Sequence, residues 1–260
     1  MARLEGKVAI VTGAASGNGR GMATRFAEEG ADVVAADVDA AGAEETARLV
    51  EARGRRALAR RCDVSHKAEI DALMDAAMER LGGIDIAVAN AGVVESDTDC
   101  LRLTEAQWQR TIGVNLTGVF FTLQAAANRM VAQGRGGRLI AISSIMAEWG
   151  AAATPAYSAT KAGVRQLVRS FAMACGRHGI TCNGVAPGFI ETAMTARYRA
   201  VPGLLESFVD RTPAGRIGQP ADIAGVAAFL ASDEASFVTG ALLVADGGIT
   251  AGMYSAASGR

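Results

Sequence analysis

Histidine and cysteine are scarce in this 260-residue chain: two histidines, His66 and His178, and four cysteines, Cys62, Cys100, Cys175 and Cys182, with no C-x-x-C pair among them. So few and so scattered ligands argue against a zinc site or a disulfide framework, and no metal is expected. Cysteines spread singly through apolar or mixed surroundings fit a reducing cytoplasm. Neither sign of charge is in excess, with 26 Lys+Arg against 27 Asp+Glu and a formal charge of −1. That balance argues against a nucleic-acid partner or a polybasic membrane tether, both of which need an excess of positive charge on one face. No apolar run reaches the roughly 18 residues of a membrane-spanning helix. No basic segment leading into an apolar one precedes the first strand-like stretch, so no secretory signal is expected. The expectation is a soluble, cytoplasmic protein. Two further scarcities bear on chemistry: lysine occurs only at Lys7, Lys67 and Lys161, and tyrosine only at Tyr157, Tyr198 and Tyr254.

Hydrophobic residues make up 50% of the chain, enough for a sizeable core, and the 31 glycines exceed the usual share of roughly 7%. Residues 7–12 (K-V-A-I-V-T) form a continuous apolar run ending in glycines, the pattern of a parallel strand buried on both faces. Similar runs recur at 31–37, 57–62, 84–89, 138–143, 181–186 and 241–244. Helical stretches lie between them at about 19–29, 40–53, 66–81, 104–133, 155–178 and 220–231. This alternation predicts an α/β fold: a Rossmann-like, doubly wound parallel sheet of about seven strands with helices on both faces. No linker or repeat divides it, so 1–260 reads as a single domain. The least regular part, 189–218, holds Pro202, Pro213 and several arginines, and it follows a strand at the edge where such sheets bind ligands. It reads as a substrate lid, or more plainly as a surface excursion.

The first strand runs into Thr12-Gly13-Ala14-Ala15-Ser16-Gly17-Asn18-Gly19, a T-G-x-x-x-G-x-G turn at a strand-to-helix junction. Glycines there permit a tight turn and close approach to a pyrophosphate, whose charge suits the free N–H groups of the helix start. Asp37 ends the next strand, eighteen positions after Gly19. A carboxylate there accepts from both hydroxyls of an adenosine ribose and repels a 2′-phosphate, so NAD is favoured over NADP. Arg20 is the one nearby cation. Tyr157 and Lys161 stand four apart at the start of a helix and share a face. With so few of either residue, a Y-x-x-x-K pair is expected by chance only about 0.03 times. A lysine cation held beside a phenol favours the phenolate and brings it toward proton exchange with an alcohol or ketone.

With these residues in place, the chain resembles the short-chain dehydrogenase/reductase family over almost its whole length. The resemblance rests on the glycine turn, Asp63-Val64, Asn90-Ala91-Gly92, Asn115, Ile142-Ser143-Ser144, Tyr157-Ser158-Ala159-Thr160-Lys161, Pro187-Gly188 with Thr192, and Asp246-Gly247-Gly248. It implies Ser144 as the hydroxyl that holds the substrate oxygen, with Ser143 a rival at the wrong spacing. It implies Tyr157 as general acid/base, and Lys161 as the group that supports it and holds the nicotinamide ribose. Asn115 would fix a water linking Lys161 to solvent, although a polar residue back-bonding within its own helix is the plain alternative. Gly13, Ser16, Gly17, Asn18, Gly19 and Asp37 would bind the pyrophosphate and adenosine ribose, and Asp63 and Val64 the adenine. Asn90, Ala91 and Gly92 would meet the ribose region, and Pro187, Gly188, Ile190 and Thr192 the carboxamide. Two positions depart from the family pattern: Asn18 replaces an apolar residue between the last two glycines, and Ala89 replaces the first asparagine of N-N-A-G.

Residues expected to face the substrate are Val93, Val94, Glu95, Met146, Glu148, Trp149, Thr154, Phe189, Met194, Arg197 and Tyr198, a mixture that names no substrate. The expected partner is a small-molecule alcohol or ketone, with NAD as cofactor. Three readings stay open: an NAD-dependent dehydrogenase of a secondary alcohol, polyol or sugar, a carbonyl or 3-oxoacyl reductase using NADPH, and a catalytically silent nucleotide-binding regulator. The resemblance also implies a homotetramer, to which the small and apolar tail at 249–260 would contribute.

Overall fold

Each of the seven strand-like runs forms a strand in the computed structural model, which describes residues 2–95 and 98–252. The first half alternates β1 (Val8–Thr12), α1 (Gly17–Glu28), β2 (Asp32–Asp37), α2 (Ala40–Glu51), β3 (Ala57–Arg61), α3 (Lys67–Leu81) and β4 (Ile86–Ala89). Then come α4 (Glu105–Ile112), α5 (Gly118–Gln133), β5 (Gly137–Ile142), α6 (Pro155–Cys175) and β6 (Ile180–Pro187). The chain closes with α7 (Leu204–Asp210), α8 (Pro220–Ala231) and β7 (Leu242–Ala245). The strands form one parallel sheet in the order β3-β2-β1-β4-β5-β6-β7. No helix among the described residues is long and apolar enough to cross a membrane.

The sheet separates two apolar layers. On one face Ile70, Met74, Leu123, Met130, Val164 and Val168, from α3, α5 and α6, pack against Ile10, Val34 and Leu139. On the other, Met22, Phe26, Val50, Ile223 and Leu230, from α1, α2 and α8, cover Val11, Val33, Val88 and Ile140. Alternate residues of β1 serve the two layers, which is why the run carries no polar face. The edge strand β3 ends in Arg60 and Arg61, both exposed.

The order reverses at β1, which pairs with β2 on one side and β4 on the other. Successive crossovers leave in opposite directions there, so a crevice opens beyond the carboxyl ends of these two strands. The glycine turn and the segment 90–95 both enter it.

The stretch 104–133 is not one helix. Thr104 and Gln107 form a capping box that starts α4. Gly113–Thr117 then widens into a π-helical turn before α5. Glycine weakens the α-ladder at that point, and the extra residue turns the fully buried Asn115 side chain away from its own helix.

Candidate active site

Thr12 ties the two crevice walls together. Its hydroxyl donates to Val88 O and accepts from Asn90 and Ala91 N–H. Asn90 answers with its side-chain N–H on Thr12 O (2.8 Å) and Gly13 O (3.1 Å). The turn is therefore braced from β4 before any ligand arrives. Gly13 has φ +67°, and a Cβ there would lie 2.7 Å from Ala91 Cα. A Cβ on Gly19 would overlap Gly13 O. The protein's own backbone thus requires these glycines. At Gly188, too, the atom that a side chain would meet is Asp246 Cα at 2.7 Å.

Beyond the turn lies a cavity of about 620 Å³, and Gly13, Ser16, Gly17, Asn18, Gly19, Asp37, Asp63, Val64, Asn90, Ala91, Gly92 and Thr192 all line it. Asp37 is held at the end of β2 by Ala15 N–H on Oδ2 (2.9 Å) and Asp39 N–H on Oδ1 (3.0 Å). Arg20 is committed elsewhere: its guanidinium donates to Thr46 Oγ1, Ala15 O and Gly42 O. Asp63 accepts from Ser65 N–H and Oγ–H, which holds its carboxyl below the usual range. Asn18 Oδ1 is buried without a hydrogen-bond partner at the cavity wall. The sequence reading missed Val38, Ser65, Gln109, Arg110 and Val114, which also line the wall. Gln109, Arg110 and Val114 arrive from α4 and the π turn, and no local motif marks them.

The structure gathers Ser144, Tyr157 and Lys161 at the carboxyl end of β5 and the start of α6. Pro155 opens α6 at its first turn, where a missing N–H is harmless. The helix spacing then stacks Tyr157 over Lys161, whose Nζ lies 5.4 Å from the phenol ring centre. Ser144 stands beside the phenol and favours its ionised form, and its Oγ accepts from Met146 N–H at 3.1 Å. Ser143 turns the other way and donates to Lys161 O (2.8 Å). It serves the helix backbone, and Ser144 is the serine of the pair that stands beside the phenol.

Burial pushes the Tyr157 phenol above its ordinary value, while the Ser144 hydrogen bond pulls it down and the neighbouring Tyr198 and Glu95 push it up. Burial lowers the Lys161 ammonium to about 8, although its Nζ donates to Ile142 O at 2.8 Å. Asn115 clamps the backbone of Val93, accepting from its N–H (2.8 Å) and donating to its O (2.7 Å). A Cβ on Gly92 would meet both Asn115 Oδ1 and Lys161 Nζ within 4 Å, so these two groups border one small space.

Residues 13–250 match the model of the family described as enoyl-(acyl carrier protein) reductase. The cis-4-hydroxycyclohexanecarboxylate dehydrogenase of Sinomonas cyclohexanicum is 44% identical, over 94% of this chain and 97% of that protein. The crystal structure of a short-chain type dehydrogenase/reductase from Mycobacterium marinum superposes with a TM-score of 0.90 at 36% identity, covering 96% of this chain and 97% of that one. The chain belongs to the short-chain dehydrogenase/reductase family. It is thus an oxidoreductase of CH–OH groups and their carbonyl counterparts. Another solved member, a gluconate 5-dehydrogenase from Burkholderia cenocepacia in complex with NADP and tartrate, has a TM-score of 0.91 at 36% identity, over 96% of this chain and 98% of that one.

The substrate-facing expectations divide in this short-chain dehydrogenase/reductase. Phe189 and Tyr198 line a second cavity of about 300 Å³, together with Leu205 and Phe208 of the 189–218 segment. Phe189 stacks on Phe208 with ring centres 3.6 Å apart, and Tyr198 meets both rings edge-on. Met194 lines the larger cavity instead. Glu148 is paired with Arg165, and Glu95 turns to the backbone of α6. The Arg197 side chain and residues 253–260 of the tail lie outside the described residues.

Proposed function

We propose that the protein is an NAD-dependent dehydrogenase of a secondary alcohol, polyol or sugar, with Tyr157 as general acid/base. One observation carries this reading: Ser144 and Lys161 converge on the Tyr157 phenol where the crevice meets the sheet edge. The large cavity has the size of a cofactor site, and Asn18 Oδ1 at its wall is buried without a hydrogen-bond partner among the described residues. These features fit a dinucleotide. Ser16, Gly17, Asn18 and Gly19 would hold its pyrophosphate at the start of α1, and Asp37 its adenosine ribose. Asp63 and Val64 would hold the adenine, Asn90, Ala91 and Gly92 the ribose region, and Pro187, Gly188, Ile190 and Thr192 the carboxamide. When bound, the nicotinamide supplies the hydride acceptor or donor.

The chain's own residues move the proton. Ser144 Oγ accepts Met146 N–H and keeps its hydroxyl proton available to donate, which a substrate oxygen beside Tyr157 would receive. Tyr157 takes the alcohol proton during oxidation and returns it during reduction. Lys161 spends one N–H on Ile142 O and has two left for the phenol and the ribose. Asn115 fixes the backbone at Val93 and completes the relay through a water beside Lys161. Residues 189–218 close over the substrate as a lid, with the Phe189–Phe208–Tyr198 cluster as its packed base.

NAD is the preferred cofactor because Asp37 presents charge toward a 2′-phosphate and Arg20 is already bound to three oxygens. The NADP in the Burkholderia relative makes both cofactors necessary in any assay. A homotetramer is supported by exposed apolar side chains at Phe237, Val244 and Met173, and a cytoplasmic location by four free cysteines.

The decisive experiment is Tyr157→Phe, assayed by nicotinamide absorbance against alcohols, polyols, sugars and the matching ketones with each cofactor. Turnover should fall at least about 100-fold while NADH binding, followed by fluorescence, stays within a few-fold. Near-normal turnover would sink the assignment.

A further inference from the structure

Glu95 is 6% exposed, and nothing in the proton relay uses it. It lies five residues past Asn90 in the segment leaving β4, where Val93 is clamped by Asn115. Its Oε1 accepts from the backbone N–H of Tyr157 at 3.0 Å, across 62 residues of sequence, and Oε2 accepts from Thr111 Oγ1 of α4 at 3.5 Å. Tyr157 is the third residue of α6, so its N–H is one of those a helix start leaves without an internal acceptor. Thr154, at the cap position, makes no side-chain cap bond. A distant carboxylate therefore does the work that a local Ser, Thr or Asp does at most helix starts.

We propose that Glu95 is a positioning residue for Tyr157, fixing the first turn of α6 against the segment after β4 and placing a negative charge beside the phenol. The consequence has two parts. The anchor holds the phenol in register with Ser144, which the reaction needs in both directions. The charge opposes the phenolate and delays its formation as pH rises. Tyr198 from the lid acts in the same sense, Ser144 at the end of β5 acts against both, and Lys161 lies below the ring. The inference rests on the proposed role of Tyr157.

Two variants separate the parts. Glu95→Gln keeps an acceptor for Tyr157 N–H and a polar partner for Thr111 while removing the charge. Its kcat at the alkaline plateau should stay within about threefold, with the rising limb of the pH profile moved to lower pH. Glu95→Ala removes the anchor as well, and kcat should fall about tenfold or more with KM for the alcohol little changed. An independent readout needs neither cofactor nor substrate: tyrosinate ultraviolet absorbance, taken as the difference between each protein and its Tyr157→Phe version. In Glu95→Gln this titration should also move to lower pH. Parental kcat and parental titration in both variants would overturn the proposal, as would a rise in KM alone in Glu95→Ala, which marks a substrate contact. If Glu95→Ala does not fold, the Glu95→Gln titration decides. An inactive Tyr157→Phe with parental Glu95 variants refutes only the positioning role. An active Tyr157→Phe refutes the function, while the absorbance titration still tests the coupling.

Discussion

The two walls of the crevice solve different problems. On the β1 side the chain offers shape: glycines that admit no Cβ, braced by Thr12 and Asn90, with few ionisable groups. On the β5–α6 side it offers buried polar chemistry: Ser144, Tyr157 and Lys161, with Glu95 from the segment after β4 bonded to the start of α6, each with limited access to water. The first wall is stable because its backbone polar groups are paired, Thr12 and Asn90 bonding across 78 residues of sequence. The second buries a lysine. Binding and reactivity therefore draw on different reserves, and mutations should separate them.

The largest separation is expected at Lys161. Lys161→Met should cut turnover by about 1,000-fold, because the phenol loses its cation and the ribose a donor. It should also change how stability depends on pH. The ammonium titrates at about 8 in the folded protein against an ordinary 10.5. Between those values the unfolded chain binds more protons, so the parent should gain stability with rising pH, by about 3 kcal/mol in total. Below pH 8 the full cost of burying the charge is present. Denaturation midpoints of the parent and of Lys161→Met, compared from pH 7 to 10.5, check this. Parallel curves would show that the lysine is not buried as a cation.

Gly13→Ala should break the other wall. The new Cβ meets Ala91 and Asn90 in a left-handed backbone conformation, at a cost of about 1–3 kcal/mol in stability. NADH affinity, by fluorescence titration, should weaken about 100-fold as the turn opens. The tyrosinate titration of Tyr157 should not move. If it does, the two walls are one coupled unit and the contrast fails.

The same contrast explains what could be read in advance. The strands lie within two residues of their expected bounds, since a parallel strand buried on both faces shows as an apolar run without help from the rest of the fold. The glycine turn and the Tyr157–Lys161 pair were legible because their spacing is local. Three features were not. The break at Gly113–Thr117 is hidden because the apolar pattern continues through it, and the bonds that draw Asn115 to Val93 cannot be read from local sequence. The helix α7 lies in a segment whose prolines and arginines read as irregular, yet Phe208 draws it onto Phe189. Glu95 looked like a pocket residue because sequence cannot show a partner 62 positions away. The glycine excess was legible as close approach, but at Gly13 and Gly19 the approaching atoms are the protein's own.

Asp37 is where shape and charge meet, and it gives the smallest effect expected. Its carboxylate accepts from Ala15 and Asp39 N–H, so it belongs to the braced wall, yet its influence on cofactor choice is electrostatic. Asp37→Ala removes the repulsion toward a 2′-phosphate and leaves the Ala15 and Asp39 N–H groups without their acceptor, and unpaired N–H groups favour an anion. The ratio of kcat/KM for NADP over NAD should rise about tenfold, a difference of about 1.4 kcal/mol. Arg20 supplies none of that gain, because its guanidinium stays on Thr46, Ala15 and Gly42. The double variant Asp37→Ala/Arg20→Gln should therefore show the same ratio as Asp37→Ala alone. A return of the ratio toward the parental value would mean that Arg20 leaves its three oxygens to meet the phosphate, and that this wall is less rigid than its hydrogen bonds imply.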